Sequence, residues 1–438
     1  MTLPITPANA HLVEPQALLR ASFDAAVAAA DPQRMLAGHL PARPERALVV
    51  GAGKAAASMA VAVERAWAGV NLEGLVITRY GHGLPTQHIR VIEAGHPVPD
   101  AAGETATIEI FARASKLNAG DLLLVLVSGG GSSLLSLPVP DVPMDELKQV
   151  TRDLLTSGAP IEQMNVVRKH LSQIAGGRLA AVAAARGARV VALIISDVTG
   201  DAPADIASGP CAPDPSTFAD AQAILRRWNV APPASVERWL ARGARGEVAE
   251  TPKPGDALFA GVENRVIATA HRSLEQAADV FCRAGITHVI LGDTVTGEAS
   301  EVAKVYAALV RELIVHAGPF ARPVALISGG ECTVTLAPGM RGRGGRCSEF
   351  LLSLSVELDS AHNVHALAAD TDGIDGSEDN AGAWLAPDTS ERAARGGVSA
   401  RAALDAHDAY GYFAAAGALI ITGPTLTNVN DYRVILVA

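Results

Sequence analysis

Apolar runs and amphipathic stretches alternate along most of this chain, and their order predicts repeated strand–helix units. From His11 to Ala30 apolar positions recur with a helical period that stops before Asp31-Pro32. ALVVG then reads as a strand, followed by a helix from about Ala52 to Trp67, and GLVIT and HIRVIEAG as the next two strands. A helix from about Asp100 to Lys116 leads into DLLLVLV, and further helical stretches lead into ARVVALIIS. These strands are unbroken Val/Ile/Leu runs rather than alternating ones. That is the pattern of a mostly parallel sheet covered by helices on both faces.

The alternation fails at RGARGEVAETPKPGDA (Arg242 to Ala257), which is rich in Gly, Pro and charge. A domain boundary is expected there, with one domain over residues 1–245 and a second over 258–438. Beyond it come NRVIATA, a helix from His271 to Ala284, THVILGD, a helix from Gly297 to His316, and RPVALISGG. ECTVTL follows after only a two-glycine turn, so an antiparallel hairpin with the preceding strand is expected. YRVILVA supplies the final strand. The fold class expected is two-domain α/β: an N-terminal Rossmann-like unit with a mostly parallel sheet, and a C-terminal unit with a mixed sheet.

Composition narrows the class. Hydrophobic residues make up 49% of the 438 positions and aromatics only 4%, which suits tightly packed α/β layers in a globular enzyme. The formal charge of −10 argues against nucleic-acid binding, although a local cationic cluster can still attract an anionic substrate. Cys211, Cys282, Cys332 and Cys347 lack metal-ligand or disulfide-framework spacing. MTLPITPANAHLVEPQ has no basic segment leading into an apolar one, and no apolar run is long enough to cross a bilayer. A cytoplasmic protein without a membrane partner is expected; the oligomeric state is left open, a homodimer being one option.

Chemistry concentrates in glycine-rich turns after strands. VVGAGKAA holds Gly51, Gly53 and Lys54; LVLVSGGGSSLL holds Ser128, Gly129, Gly130, Gly131, Ser132 and Ser133; LISGGECTV holds Gly329, Gly330 and Glu331. Such turns bring backbone N–H groups close to phosphate oxygens, and a lysine among them is a point charge for the same anion. No GxxxxGK[ST] is present, so this is not a P-loop. GAGKAA also resembles a dinucleotide fingerprint, but the second strand ends in Arg79 where an NAD site needs a carboxylate; an NADP-type arginine is conceivable, yet lysine at the third residue after the first glycine is atypical.

NVVRKHLSQIAGGRLA offers Arg168 and Lys169 as ligands. ISDVTGDAPADIASGP offers Asp197, Asp201 and Ser208, and AADTDGIDG offers Asp372. Strand-end carboxylates beside glycine can hold Mg²⁺, and Asp197 and Asp201 are the candidate metal ligands. RGRGGRCSEF places Arg346 at a helix start, where its planar fork suits carboxylate or phosphate. Neither Lys54 nor Arg346 has an obvious structural partner in the sequence, so removal of either is expected to leave folding little changed.

Together GAGKAA, SGGGSSLL, NVVRKHLSQIAGGRLA, ISDVTGDAPADIASGP, ISGGECTVTL, GRGGR, ADTDGIDG and TGPTLTNVND resemble the glycerate 2-kinase family, nearly end to end. The resemblance implies a C-terminal MOFRL region over about 322–432 and an active site in an interdomain cleft. It implies transfer of the γ-phosphoryl of ATP to the 2-hydroxyl of D-glycerate, with Mg²⁺, and it assigns catalysis to Lys54 and Arg346. The family commonly reads GGRNQE where this chain has Gly344-Gly345-Arg346-Cys347-Ser348-Glu349. Alternatives are an NAD(P)H-dependent hydroxypyruvate reductase, a name some relatives carry, and a non-catalytic nucleotide sensor.

Overall fold

Strand order, more than strand number, decides where chemistry can sit in this fold. A computed structural model describes residues 14–316, 318–337, 339–359 and 363–438. The first three residues of the expected initial helix lie outside the described residues, and the helix itself runs Pro15–Ala29. The chain divides into two compact units. The first holds Ala30–Thr269 and Leu426–Val429; the second holds the Pro15–Ala29 helix, Ala270–Thr425 and Asn430–Ala438.

In the first unit six described strands, β1 (Arg46–Ala52), β2 (Asn71–Arg79), β3 (Ile89–Ala94), β4 (Leu122–Val127), β5 (Arg189–Ile195) and β6 (Val262–Ala268), form one sheet in the order β3-β2-β1-β4-β5-β6. Every adjacent pair is parallel. All of β4, LLLVLV, is buried, as a strand covered on both faces must be. The crossover helices begin where local chemistry dictates. Asp100 caps the helix Ala101–Ala114 by accepting the Gly103 N–H, and Thr217 and Asp220 form a capping box on Phe218–Arg227.

The expected boundary at Arg242 to Ala257 is corrected. That stretch belongs to the first unit: Thr251 Oγ1 donates to buried Asp214, whose own N–H donates to Pro252 O. The chain then enters β6, which adds to β5, so the division falls at Thr269/Ala270. Segment composition signals a loop here but not which sheet the next strand joins.

The second unit contains β7 (Thr287–Gly292), β8 (Gly297–Glu298), β9 (Val324–Gly330), β10 (Cys332–Thr333), β11 (Val364–Asp370), β12 (Gly382–Leu385), β13 (Leu419–Ile420) and β14 (Asp431–Val437). Its main sheet runs β13-β12-β11-β14-β9-β7 and is mixed, with β7 and β9 parallel and the other pairs antiparallel. The expected hairpin of ECTVTL with β9 does not form. β10 pairs in parallel with β8, because both edges of β9 are already taken by β14 and β7.

Alternation along β14 feeds two cores. Ile435 and Val437 join the helices Ala299–His316 and Arg346–Leu358, where Tyr306 meets Phe350 edge-on at 5.3 Å. Tyr432, Val434 and Leu436 face the helices Pro15–Ala29 and Ala270–Arg283, with Leu19, Phe23 and Phe281.

Candidate functional site

In an open parallel sheet, ligands bind beyond the carboxyl ends of the strands at which the strand order reverses direction. Here those strands are β1 and β4, and they carry the first two glycine turns. The turns are tied together by their own backbones: Lys54 N–H donates to Gly129 O at 2.9 Å, and Ser128 N–H to Ala52 O at 3.2 Å. Fully buried Ser128 accepts the Ala55 N–H at 3.0 Å, while Gly51 and Gly53 let the β1 backbone close on Leu126 and Ser128. Gly51, Gly53 and Ser128 therefore shape the site from behind.

Two glycines carry the front. Gly130 has φ of 81°, and a Cβ there would lie 2.8 Å from His96 Nε2. At Gly129 a Cβ would lie 2.4 Å from Asp197 Oδ2 and 2.3 Å from Asn428 Nδ2. Asp197 thus rests directly on the glycine turn. The Lys54 side chain passes nearby, its Cγ 3.6 Å from the same Gly130 position. Burial, with the charges of Lys54 and Arg79, pushes His96 down to about 4, so its imidazole is neutral near pH 7. Burial also lowers the neighbouring His82.

A cavity of about 350 Å³ opens beside this turn, reached by Gly130, Ser132, Ser133, His96, Arg168 and Ser208. Ser133 Oγ donates to Gly130 O, and Gly131 begins the short helix Gly131–Leu134. Ser208, at φ of 57°, brings its Oγ to 2.9 Å from Ser132 Oγ and 3.2 Å from Asn165 Oδ1. That left-handed backbone is costly for a serine and holds the hydroxyl in the site. Arg168 reaches Asn165 Oδ1 at 3.4 Å, and burial lowers its pKa with no carboxylate offsetting the effect.

Neither Lys169 nor Asp201 lines this cavity. Lys169 is buried between Asp205 and Asp214, with Nζ at 3.4 and 3.6 Å from their carboxylates, so its charge is spent within the fold. Asp201 adopts φ of 54° in the turn after β5, its N–H donating to Val198 O. No group of three or more His, Cys, Asp or Glu suited to a metal occurs among the described residues.

The second unit gathers the remaining candidates around Arg346, the first residue of the helix Arg346–Leu358. Its Nε lies 2.7 Å from Asp431 Oδ1, Nη2 2.7 Å from Asp370 Oδ2, and Nη1 3.0 Å from Glu331 Oε1. Burial works against the charge, but Asp431, Asp370 and Glu331 raise Arg346 well above the ordinary arginine value. This corrects the expectation that Arg346 lacks a structural partner. Asp431 also binds Arg433, which is buried over the Phe350 ring and donates to Gly329 O. Gly329 and Gly330 end β9 beside this chain of alternating charges, and Glu331 follows them. Asp372, buried, donates its N–H to Asp370 Oδ1 and accepts that of Ile374.

The helix start is fixed by Asp375, which accepts the N–H groups of Cys347 and Ser348 and the Ser348 hydroxyl at 2.6 Å. Asn380 Nδ2 donates to the same hydroxyl. Burial pushes Asp375 up to about 6, against the lowering effect of those hydrogen bonds. The departure Cys347-Ser348 thus lies in this buried cap. Sequence reasoning singled out neither Asp375, Asp370, Asp431 and Arg433 nor His96. Only Asp370, Asp375 and Asp431 carried a signal, by lying within the motifs ADTDGIDG and TGPTLTNVND.

Comparison with known proteins covers both units. Residues 18–241 match a domain described as of unknown function, DUF4147, and residues 324–431 match the MOFRL family. A protein of Agrobacterium vitis carrying the provisional name hydroxypyruvate reductase is 49% identical, over 97% of this chain and 95% of its own. The D-glycerate 2-kinase of Thermotoga maritima is 38% identical, over 88% of this chain and 89% of its own. The crystal structure of glycerate kinase from Thermotoga maritima superposes with a TM-score of 0.83 at 35% identity, covering 97% of this chain and 100% of that one.

Proposed function

We propose a glycerate 2-kinase activity for this chain, which belongs to the glycerate kinase family of joined DUF4147 and MOFRL parts. The observation that carries the reading furthest is the paired glycine turn at the reversal of strand order, with Lys54 and Asp197 against it. Phosphoryl transfer needs little covalent help from a protein; it depends on positioning and on neutralising charge over the phosphoryl oxygens.

The reaction forms a bond from the 2-hydroxyl oxygen of D-glycerate to the γ-phosphorus of ATP. The bond to the β-phosphate oxygen breaks, releasing ADP, 2-phosphoglycerate and a proton. Gly129 to Gly131 allow the phosphates close to backbone, and the hydroxyls of Ser132, Ser133 and Ser208, which donate within the protein in this structure, turn to the phosphate when it binds. Lys54 neutralises phosphate charge. Arg346, its fork held by carboxylates, meets the transferring phosphoryl or the glycerate carboxylate. Neutral His96 can donate or accept a hydrogen bond beside Gly130 without adding charge.

Asp197 fits a Mg²⁺ that arrives with the nucleotide. Mg²⁺ is usually held by substrate phosphates plus one or two carboxylates. Asp201 is the second carboxylate proposed. When bound, the ion neutralises phosphate charge. A cytoplasmic setting accords with free thiols at Cys211, Cys282, Cys332 and Cys347, and no described helix is long and apolar enough to cross a membrane.

The reductase reading is less favoured: Arg79 ends β2 where an NAD ribose needs a carboxylate, and although an arginine there suits the 2′-phosphate of NADP, Lys54 as the third residue after Gly51 is atypical of a dinucleotide turn. One experiment separates the readings. Mass detection of phosphoglycerate from D-glycerate, ATP and Mg²⁺ is run beside NADH oxidation with hydroxypyruvate. Product should form only with metal, vanish with EDTA and return with added Mg²⁺. NADH oxidation without phosphoglycerate, or full transfer in chelated buffer, would overturn the proposal.

A further inference from the structure

The cavity beside the Gly130 turn is far roomier than a three-carbon acid requires. Its volume of about 350 Å³ falls in the range of pockets that enclose ligands of drug size, roughly 300–1,000 Å³. One side is built by a single face of the helix Met144–Thr156, on which Leu147, Lys148, Thr151, Arg152 and Leu155 recur at helical spacing. That face mixes apolar surface with two cations.

The rim is apolar where a surface would ordinarily be polar. Leu155 is 67% exposed and Val98 59% exposed, and both line the cavity. A planar heterocycle offers apolar faces for such residues and polar edges for the serines. Arg152 and Arg168 line the same space and form no salt bridge among the described residues, so their guanidinium planes remain available to stack on a ring or grip a sugar or phosphate oxygen. At the turn itself the lining changes to Gly130, Ser132 and Ser133, with the Lys54 side chain alongside.

We infer that this cavity takes the nucleoside part of the nucleotide, with its base against Val98 and Leu155 and its phosphates directed to the Gly130 turn and Lys54. The inference rests on the kinase reading for the identity of the nucleotide. It assigns the acceptor acid to a place outside this cavity.

The test uses the full chain with Leu155→Asp and, separately, Thr151→Trp. The first puts a charge on the apolar rim, and the second narrows the space from a half-buried helix position. ADP binding is titrated calorimetrically and the KM for glycerate is measured at saturating ATP, with thermal midpoints recorded to verify folding. Both variants should weaken ADP by at least about ten-fold, a loss of about 1.4 kcal/mol, while the KM for glycerate stays within about two-fold. In the wild type, adenosine should compete with ADP, and in the variants inorganic triphosphate should compete better than adenosine. Unchanged ADP affinity in both folded variants, absent ADP binding by the wild type, or a rise in glycerate KM alone overturns the inference. A wild type that binds ADP but forms no phosphoglycerate refutes the kinase reading and leaves the nucleoside pocket standing.

Discussion

Replacing Arg346 with alanine separates what this guanidinium does for the fold from what it does for the reaction. Two of its nitrogens lie 2.7 Å from carboxylate oxygens of Asp431 and Asp370. Those side chains are 0% and 4% exposed with the guanidinium in place, so losing the cation leaves both carboxylates poorly hydrated. Removing one partner of a buried pair costs about 3–5 kcal/mol. Arg433 remains on Asp431 and Arg346 is itself 24% exposed, which points to the lower end, about 3 kcal/mol. At about 2–4 °C per kcal/mol for a unit of this size, the transition that includes the second unit should fall by roughly 6–12 °C. The kcat should fall by about 10²-fold or more, the scale for one lost electrostatic stabiliser. The double variant Arg346→Ala with Asp370→Asn removes the cation together with one carboxylate charge. It should regain part of the stability and none of the kcat. Scanning calorimetry beside initial rates at saturating ATP and glycerate reads both quantities. Recovery of activity along with stability would reduce Arg346 to a prop, and an unshifted midpoint in the single variant would refute the buried-pair reasoning.

Lys54→Ala should lower kcat by about 10²-fold at saturating substrates; near wild-type turnover would remove it from catalysis. In Gly129→Ala the new methyl must displace both Asp197 and Asn428, whose Oδ2 and Nδ2 would lie 2.4 and 2.3 Å away. The Mg²⁺ concentration for half-maximal rate should then rise by about ten-fold, and an unchanged metal titration would dissociate Asp197 from the ion. Asp375 gives a pH signature: its folded value of about 6 stands above 3.8, so its contribution to stability is complete below about pH 3.8 and lost as pH rises through about 6. The loss is about 3 kcal/mol. The stability of the wild type relative to Asp375→Asn, measured by urea unfolding, should therefore decline from pH 5 to pH 7.5. A difference that is flat or grows with pH would contradict the assigned burial effect.

The first sheet is legible in the chain because β4 and β5 are continuous apolar runs, and the glycine turns after β1 and β4 are legible because backbone crowding leaves glycine few substitutes. The expected helices come within a few residues of Ala101–Ala114 and Ala270–Arg283, since caps and periodicity are local. What fails is long-range. The Pro15–Ala29 helix packs with Phe281 and Tyr432, residues distant in sequence, and no local pattern announces that. Both edges of β9 are occupied by strands on either side of it in the chain, so a hairpin that is locally sensible at ECTVTL cannot form. The acidic motifs mark Asp370 and Asp431 as notable, but only folding brings them to Arg346. Lys169 shows the reverse: a basic residue beside Arg168 turns inward because Asp214 waits there.

The order of the strands also has a consequence for synthesis. β14 lies between β11 and β9 in the second sheet, yet it is the last described strand to leave the ribosome. The first sheet can close once Ala268 has emerged, while β11 and β9 wait with open edges for the strand that joins them. An open edge of this kind is a template for pairing with another chain, so the growing polypeptide is most exposed to misassembly late in translation, after half of it is already folded. The same interleaving restricts gene splitting. Two fragments divided at Ala270 would put the Pro15–Ala29 helix and the sheet it covers into different products, and Leu426–Val429 would be parted from its own unit as well.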